Sequence, residues 1–97
     1  MSVKVVFELN LQEGKTSDLV EMMRGALPFT RKYDGCERVN ICVGQEDQTQ
    51  VILVSEWASK EKYLAYVQYR TDDGSIAKIG SMLAGEPRLS VYDIQDA

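Results

Sequence analysis

The sequence predicts an α+β fold: a ferredoxin-like sandwich with the order β-α-β-β-α-β and a split second helix. Three observations predict it. Val3, Val5, Phe7, Leu9 and Leu11 alternate along the first segment, as in a strand with one apolar face. Leu19, Met22, Met23, Ala26 and Leu27 recur at helical spacing in the next. Two further apolar runs then flank the polar stretch GQEDQTQ, which reads as a hairpin loop.

Each element follows from its own residues. Gly14 closes the first strand, and a helix runs from Lys15 to about Tyr33, with Thr16, Ser17 and Asp18 as candidate caps. Pro28 within it is expected to kink or end the first helical portion, with Phe29 to Tyr33 resuming as a further turn before Asp34-Gly35. Cys36 to Val43 and Gln50 to Trp57 form the second and third strands. Ser59 is placed to cap a helix from Lys60 to about Tyr69, Asp72 to Gly74 break it, and Ser75 to Ala84 form another helical piece. Gly85-Glu86-Pro87 stops that piece, and Arg88 to Ile94 is the final strand.

The 97 residues, 44% hydrophobic and 27% charged, leave room for one globular domain spanning 1–97. A net charge of −4 argues against nucleic acid or an anionic membrane as a partner, since both attract a positive surface. The N-terminal residues lack a basic region followed by a long apolar core, so neither signal peptide nor membrane span is expected and the cytoplasm is the expected compartment. Cys36 and Cys42, six residues apart on one strand, are expected on the same face roughly 20 Å apart, too far to bridge. Small buried thiols are the favoured state for both.

The third strand reads Val51-Ile52-Leu53-Val54, apolar on both faces, and Val6, Tyr92 and Ile94 add apolar groups opposite the main alternation of their strands. A strand apolar on both sides needs cover on both sides. Two helices cover one face of a four-stranded sheet, so the other is expected to meet the sheet of a second copy, giving a homodimer packed sheet to sheet.

The chain contains no histidine, which removes the commonest general base near neutral pH, the commonest metal ligand and the partner of Ser or Cys nucleophiles. No Gly-rich phosphate loop follows a strand, and the two cysteines lack partners at tetrahedral spacing, so no cofactor and no metal are expected. What remains is aromatic. Tyr63, Tyr66 and Tyr69 occupy one broad side of the second helix, close to Trp57, the sole tryptophan, and to Arg70. These groups either fill the core or line a pocket for a planar, oxygenated aromatic molecule, stacking on its rings and donating to its oxygens.

Gly35-Cys36 at the start of the second strand, Glu56-Trp57-Ala58-Ser59 closing the third, the run YLAYVQYR after Tyr63 and the Gly-punctuated DDGSIAKIGSMLAGEPRL resemble the antibiotic biosynthesis monooxygenase (ABM) family. The resemblance runs from about Val3 to Ile94. It implies a homodimeric α+β barrel whose pocket lies between the sheet and helices of each protomer, and, in enzymatic members, oxygenation of polycyclic aromatic phenols without metal, flavin or nicotinamide, so the expected substrate is a small or polycyclic aromatic phenol or quinol. Trp57 and Tyr63 match positions resembling pocket residues of the oxygenases. Tyr66 stands where many members have a histidine, Leu53 where an asparagine can stand, and the family's later arginine has only Lys78 or Arg70 as counterparts. The haem-degrading branch uses a histidine ligand, which this chain lacks. The expected substrate-binding set is therefore Trp57, Tyr63, Tyr66 and Arg70, with no catalytic base assigned. Two alternatives stand beside an oxygenase. One is a non-catalytic protein holding a small hydrophobic ligand; the other is an isomerase or lyase using Glu8, Glu56 or Asp93 as base.

Overall fold

Alternation along the first strand decides which face of the sheet is covered. In the computed structural model, which describes residues 2–96, the elements are β1 (Val3–Asn10), α1 (Thr16–Arg31), β2 (Cys36–Val43), β3 (Gln50–Trp57), α2 (Lys60–Asp72), α3 (Ser75–Gly80) and β4 (Arg88–Asp93). The strands form one antiparallel sheet in the order β2-β3-β1-β4. Val3, Val5 and Leu9 of β1 and Val51, Ser55 and Trp57 of β3 are buried on the face that the helices cover. The architecture is the ferredoxin-like one expected, with the second helix split at Gly74, which takes a left-handed conformation.

Two clusters of buried side chains share that covered face. One joins Leu9, Leu11, Leu19, Met23, Leu27, Val39, Val51 and Ile79; the other joins Val3, Val5, Trp57 and Tyr63. The interior is thus divided by a seam between the two clusters.

Several boundaries differ from expectation for identifiable reasons. Helix α1 continues through Pro28 without a break. Pro28 is exposed near the C-terminal end, so the one carbonyl its ring deprives of a donor lies on the solvent side. None of Thr16, Ser17 or Asp18 is the N-cap of α1: that position is Lys15, without a side-chain bond, and Thr16 Oγ1 instead donates to Gln48 O at 2.7 Å. Ser59 does cap α2, its Oγ accepting from Lys62 N at 3.2 Å. Helix α2 runs on to Asp72, and α3 ends at Gly80 because the following residues are drawn to β1: Leu83 bridges Leu11, and Ala84 N donates to Asn10 O at 2.8 Å.

The two cysteines also depart from expectation, Cys36 being half-buried and Cys42 exposed. A bulge between Cys36 and Arg38 shifts the register, so the even spacing no longer puts both on one face. Cys36 packs against the core opposite Trp57, whereas Cys42 is exposed opposite Ile52 on the other face. Both are free thiols.

Gly35 opens β2 for a steric reason. It lies at φ 90°, and a Cβ there would come within 2.5 Å of Lys62 Cβ, so α2 sits close against the bare backbone. Its carbonyl accepts from Ala58 N at 2.8 Å, which holds the β3–α2 junction beside the start of β2.

The second face of the sheet is a chequer of charge around an apolar centre. Register places Asn40, Val54, Val6 and Ser90 in one row, Cys42, Ile52, Glu8 and Arg88 in the row on one side, and Arg38, Glu56, Lys4 and Tyr92 on the other. Glu56 pairs with Lys4 and Arg38, and Glu8 with Arg88. Val6, Ile52 and Val54 are only partly covered there, and Tyr92 is exposed. No helix among the described residues is long and apolar enough to cross a membrane.

Candidate functional site

A chamber of about 80 Å³ lies at the seam between the two core clusters. Its floor is the covered sheet face: Val5 and Phe7 of β1, Val39 of β2, and Leu53, Ser55 and Trp57 of β3. Its walls come from Met22, Met23, Ala26, Leu27 and Thr30 of α1, Tyr63, Tyr66, Val67 and Arg70 of α2, and Ser75, Ile76 and Ile79 around α3. Trp57, Tyr63, Tyr66 and Arg70, the four residues singled out from sequence, all line this one space. Tyr69 does not; it stacks on Phe29 at 5.5 Å on the outside of the helices.

Trp57 is 1% exposed, and its Nε1 donates to Ser55 Oγ at 3.0 Å. Tyr63 meets its ring edge-on at 5.5 Å and Tyr66 lies at 5.1 Å, so the indole is boxed by two phenols. Burial, with a smaller contribution from Tyr66, pushes the Tyr63 phenol up to about 12. Tyr63 is therefore a neutral hydrogen-bond donor at every ordinary pH and is no base.

The polar end of the chamber is an ordered chain of hydrogen bonds. Arg70 Nε donates to Tyr66 Oη at 2.8 Å, and Tyr66 Oη lies 2.5 Å from Thr30 Oγ1. Thr30 Oγ1 is also 3.3 Å from Ala26 O, an acceptor only. A hydroxyl has one proton. With Thr30 giving its proton to Ala26, Tyr66 donates to Thr30 while accepting from Arg70. Arg70 Nη1 donates to Asp73 at 2.9 Å, and its guanidinium covers the rings of Phe29 and Tyr66 at 5.1 and 5.4 Å. Burial alone would make Arg70 easier to deprotonate, but its bonds to Tyr66 and Asp73 outweigh that and raise it further, so the charge is permanent.

Thr30 and Ser55 are the residues that sequence reading passed over. Each is a polar group, 2% and 6% exposed, at a position where the pattern calls for an apolar one. Thr30 continues the Met23, Leu27 stripe of α1, and Ser55 continues Val51, Leu53 toward Trp57. That breach of pattern was the available signal. Of the two candidate counterparts for the resembled arginine, Arg70 reaches the chamber, whereas Lys78 is exposed and does not line it. Glu8 and Glu56 are paired on the opposite sheet face, and Asp93 is exposed at the end of β4, so none of the three can serve as a base here. Burial likewise raises the Cys36 thiol, an effect that the nearby charge of Arg31 partly offsets, so nothing here activates it as a nucleophile. Among the described residues no group of three or more His, Cys, Asp or Glu side chains is placed to hold a metal.

The sequence profile of the family described as antibiotic biosynthesis monooxygenase matches residues 2–71. The chain belongs to that family. Solved structures similar to this one agree in fold. A conserved protein from Methanosarcina mazei has a TM-score of 0.88 at 14% identity, covering 98% of this chain and 94% of its own. Rv0793 from Mycobacterium tuberculosis gives 0.79 at 18%, covering 100% and 98%. SnoaB, a cofactor-independent oxygenase from Streptomyces nogalater, gives 0.83 at 7%, covering 99% and 95%. Comparison with curated proteins returned no match. In this chain the chamber beside the indole is lined by phenols, a threonine and an arginine, with no imidazole.

The position of Tyr63 has a measurable consequence. Its folded pKa, about 12, lies above the ordinary value near 10, so the stability gained from burying the neutral phenol is complete below pH ~10 and is lost as pH rises through 12. From about pH 8 to 11.5, wild type should lose about 2 kcal/mol more of its unfolding free energy than Tyr63→Phe does. Urea unfolding at the two pH values checks this; equal losses would show that the phenol is not held neutral.

Proposed function

We propose that this ABM protein is a cofactor-independent monooxygenase acting on an aromatic phenol or quinol. The observation that carries the reading is the Arg70–Tyr66–Thr30 chain at the edge of an otherwise apolar chamber. A permanent cation behind a phenol, beside an apolar space, suits a ligand that is a flat hydrocarbon bearing one oxygen whose charge must be held. Family membership and the fold shared with a cofactor-independent oxygenase support the same class of chemistry.

The chamber supplies orientation and electrostatics. Trp57 and Tyr63 form a wall against which rings pack, and Tyr66 meets the ligand oxygen. While that oxygen is protonated it donates to the free lone pair of Tyr66; once ionised it takes the Tyr66 proton in place of Thr30, with Arg70 close behind. The lining contains no carboxylate or imidazole, so ionisation depends on the acidity of the substrate itself. The anion reduces dioxygen, and a ring CH₂ of its keto tautomer becomes a carbonyl. One oxygen atom enters the ring, the other leaves as water, and all four electrons come from the substrate. Exclusion of water by Trp57, Leu53 and Met23 keeps the carbanion-like ring from simple reprotonation.

The missing base also favours a second reading, in which the protein holds the same ligand without turning it over. Oxygen consumption separates the two. A dihydroxyanthracene in air should lose oxygen faster with the protein than in buffer, and Tyr66→Phe should lower kcat/KM by about 10- to 100-fold. No acceleration across a panel of phenols and quinols would leave only the binding role.

The reading includes self-association through the uncovered sheet face, closing two sheets into a barrel. Val6, Ile52 and Val54 supply an apolar centre there, and the alternating charges of Arg38, Glu56, Lys4, Glu8 and Arg88 supply a rim that selects register. Sedimentation should give twice the chain mass of 10.9 kDa, and Val54→Lys should return it to the single-chain value. A wild-type monomer at micromolar concentration would contradict the pairing.

A further inference from the structure

Arg70 takes its position from a residue outside the chamber. Its Nε donates to Tyr66 Oη at 2.8 Å, its Nη2 lies 3.4 Å from Thr30 Oγ1, and its Nη1 donates to Asp73 Oδ2 at 2.9 Å. All three nitrogens of the planar guanidinium are thus engaged, two by groups that line the chamber and one by the turn after α2. Asp73 is the C-cap of α2, and its second oxygen, Oδ1, accepts from Ser75 N at 2.9 Å across the left-handed Gly74. One carboxylate therefore fixes the cation and the first residue of α3 together, and Ser75, Ile76 and Ile79 of α3 belong to the chamber wall. Its bonds to Ser75, and after them its bond to Arg70, hold the Asp73 carboxyl below the ordinary value, so it is ionised at neutral pH. Among the described residues it is the one carboxylate paired with Arg70, and side-chain exposures of 14% for Arg70 and 32% for Asp73 leave the pair partly shielded from water.

The remaining contacts of the guanidinium do not fix its orientation. It lies over the rings of Phe29, Tyr66 and Tyr69 at 5.1, 5.4 and 5.7 Å, attractions that a cation keeps while it slides or turns. Phe29 and Tyr69 are exposed, so without Asp73 the side chain can settle over them with its charge turned to water. We infer that Asp73 is a positioning residue: by holding Nη1 from outside the chamber and the start of α3 with the same carboxylate, it keeps the Arg70 charge directed at the oxygen that Tyr66 meets. The inference rests on the reading of the chamber's polar end as the place of a ligand oxygen. A carboxylate is required because two donors, Arg70 Nη1 and Ser75 N, converge on one side chain. An amide has a single acceptor oxygen. In Asp73→Asn that oxygen can still accept from Ser75 N, as in an Asx turn, which leaves the NH₂ facing Nη1, donor against donor.

Positioning and simple charge predict opposite signs. Asp73 is an anion near the site, so if it acted through its field alone, its removal would favour a bound anion; if it orients Arg70, its removal disfavours one. The probe is 4-nitrophenol, whose anion absorbs visible light, so its ionisation while bound is read by titrating absorbance against pH. Wild type should bind it with a pKa below that of the free phenol. Asp73→Asn should raise the bound pKa by about 0.5–1 unit, a loss of about three- to tenfold in preference for the anion, and Asp73→Ala, which removes both bonds, should raise it as well. Asp72→Asn removes a neighbouring charge that bonds to Gln68, and should leave the value within about 0.2 unit. A lowered or unmoved pKa in Asp73→Asn or in Asp73→Ala overturns the inference while leaving the chamber a ligand site. A wild type that does not bind the phenol, or does not lower its pKa, removes the reading of the polar end and the inference with it.

Discussion

The Tyr66 hydroxyl is the point at which the two long helices are joined. Helix α1 packs on β2, while α2 packs on α3 and the end of β3, so the two stand apart over the sheet. Thr30 from one and Tyr66 with Arg70 from the other close that gap through hydrogen bonds, and the join is covered by aromatic contacts, Phe29 stacked on Tyr69 and Tyr33 edge-on to Tyr66. Were the helices packed directly, the seam between the two core clusters would be filled. Their separation is what leaves a chamber, and the polar join is what gives the chamber a charged end.

That arrangement has an energetic logic. A buried hydroxyl or guanidinium is costly unless each donor finds an acceptor, and here the order of donors is consistent from Arg70 through Tyr66 and Thr30 to the Ala26 carbonyl. Among the described residues no buried side-chain nitrogen or oxygen is left without a partner. The network is complete without a ligand, yet Tyr66 can exchange Thr30 for another acceptor. A site that is satisfied when empty and can switch partners avoids the penalty of waiting with an orphaned group.

Much of this was legible in the residues. Alternation in β1 and the helical stripe of α1 gave the layers, β2 and β3 fell where Cys36 to Val43 and Gln50 to Trp57 alternate, and the Trp57-to-Arg70 stretch contained four of the five aromatic and charged lining residues, Phe7 being the other. What could not be read depended on long-range geometry. The Cys36–Arg38 bulge reverses a face with no local signal, and the C-terminal limit of α3 is set by pairing between Leu83 and Leu11, which are distant in sequence. Thr30 sits 36 residues from Tyr66, and only the fold shows that the hydroxyl breaking the α1 stripe meets the phenol of α2. The size of the chamber, likewise, is a difference between packed volumes that no spacing reveals.

The central claim is that Tyr66 meets the oxygen of an aromatic ligand. The most direct measurement is a two-by-two comparison of affinities: 1-naphthol and naphthalene, each titrated into wild type and Tyr66→Phe. Loss of the phenol hydroxyl should weaken 1-naphthol by about three- to tenfold, the worth of one hydrogen bond, and leave naphthalene unchanged. Equal changes for the two ligands would mean that Tyr66 only holds the helices together, and would contradict the assignment of the chamber's polar end to a ligand.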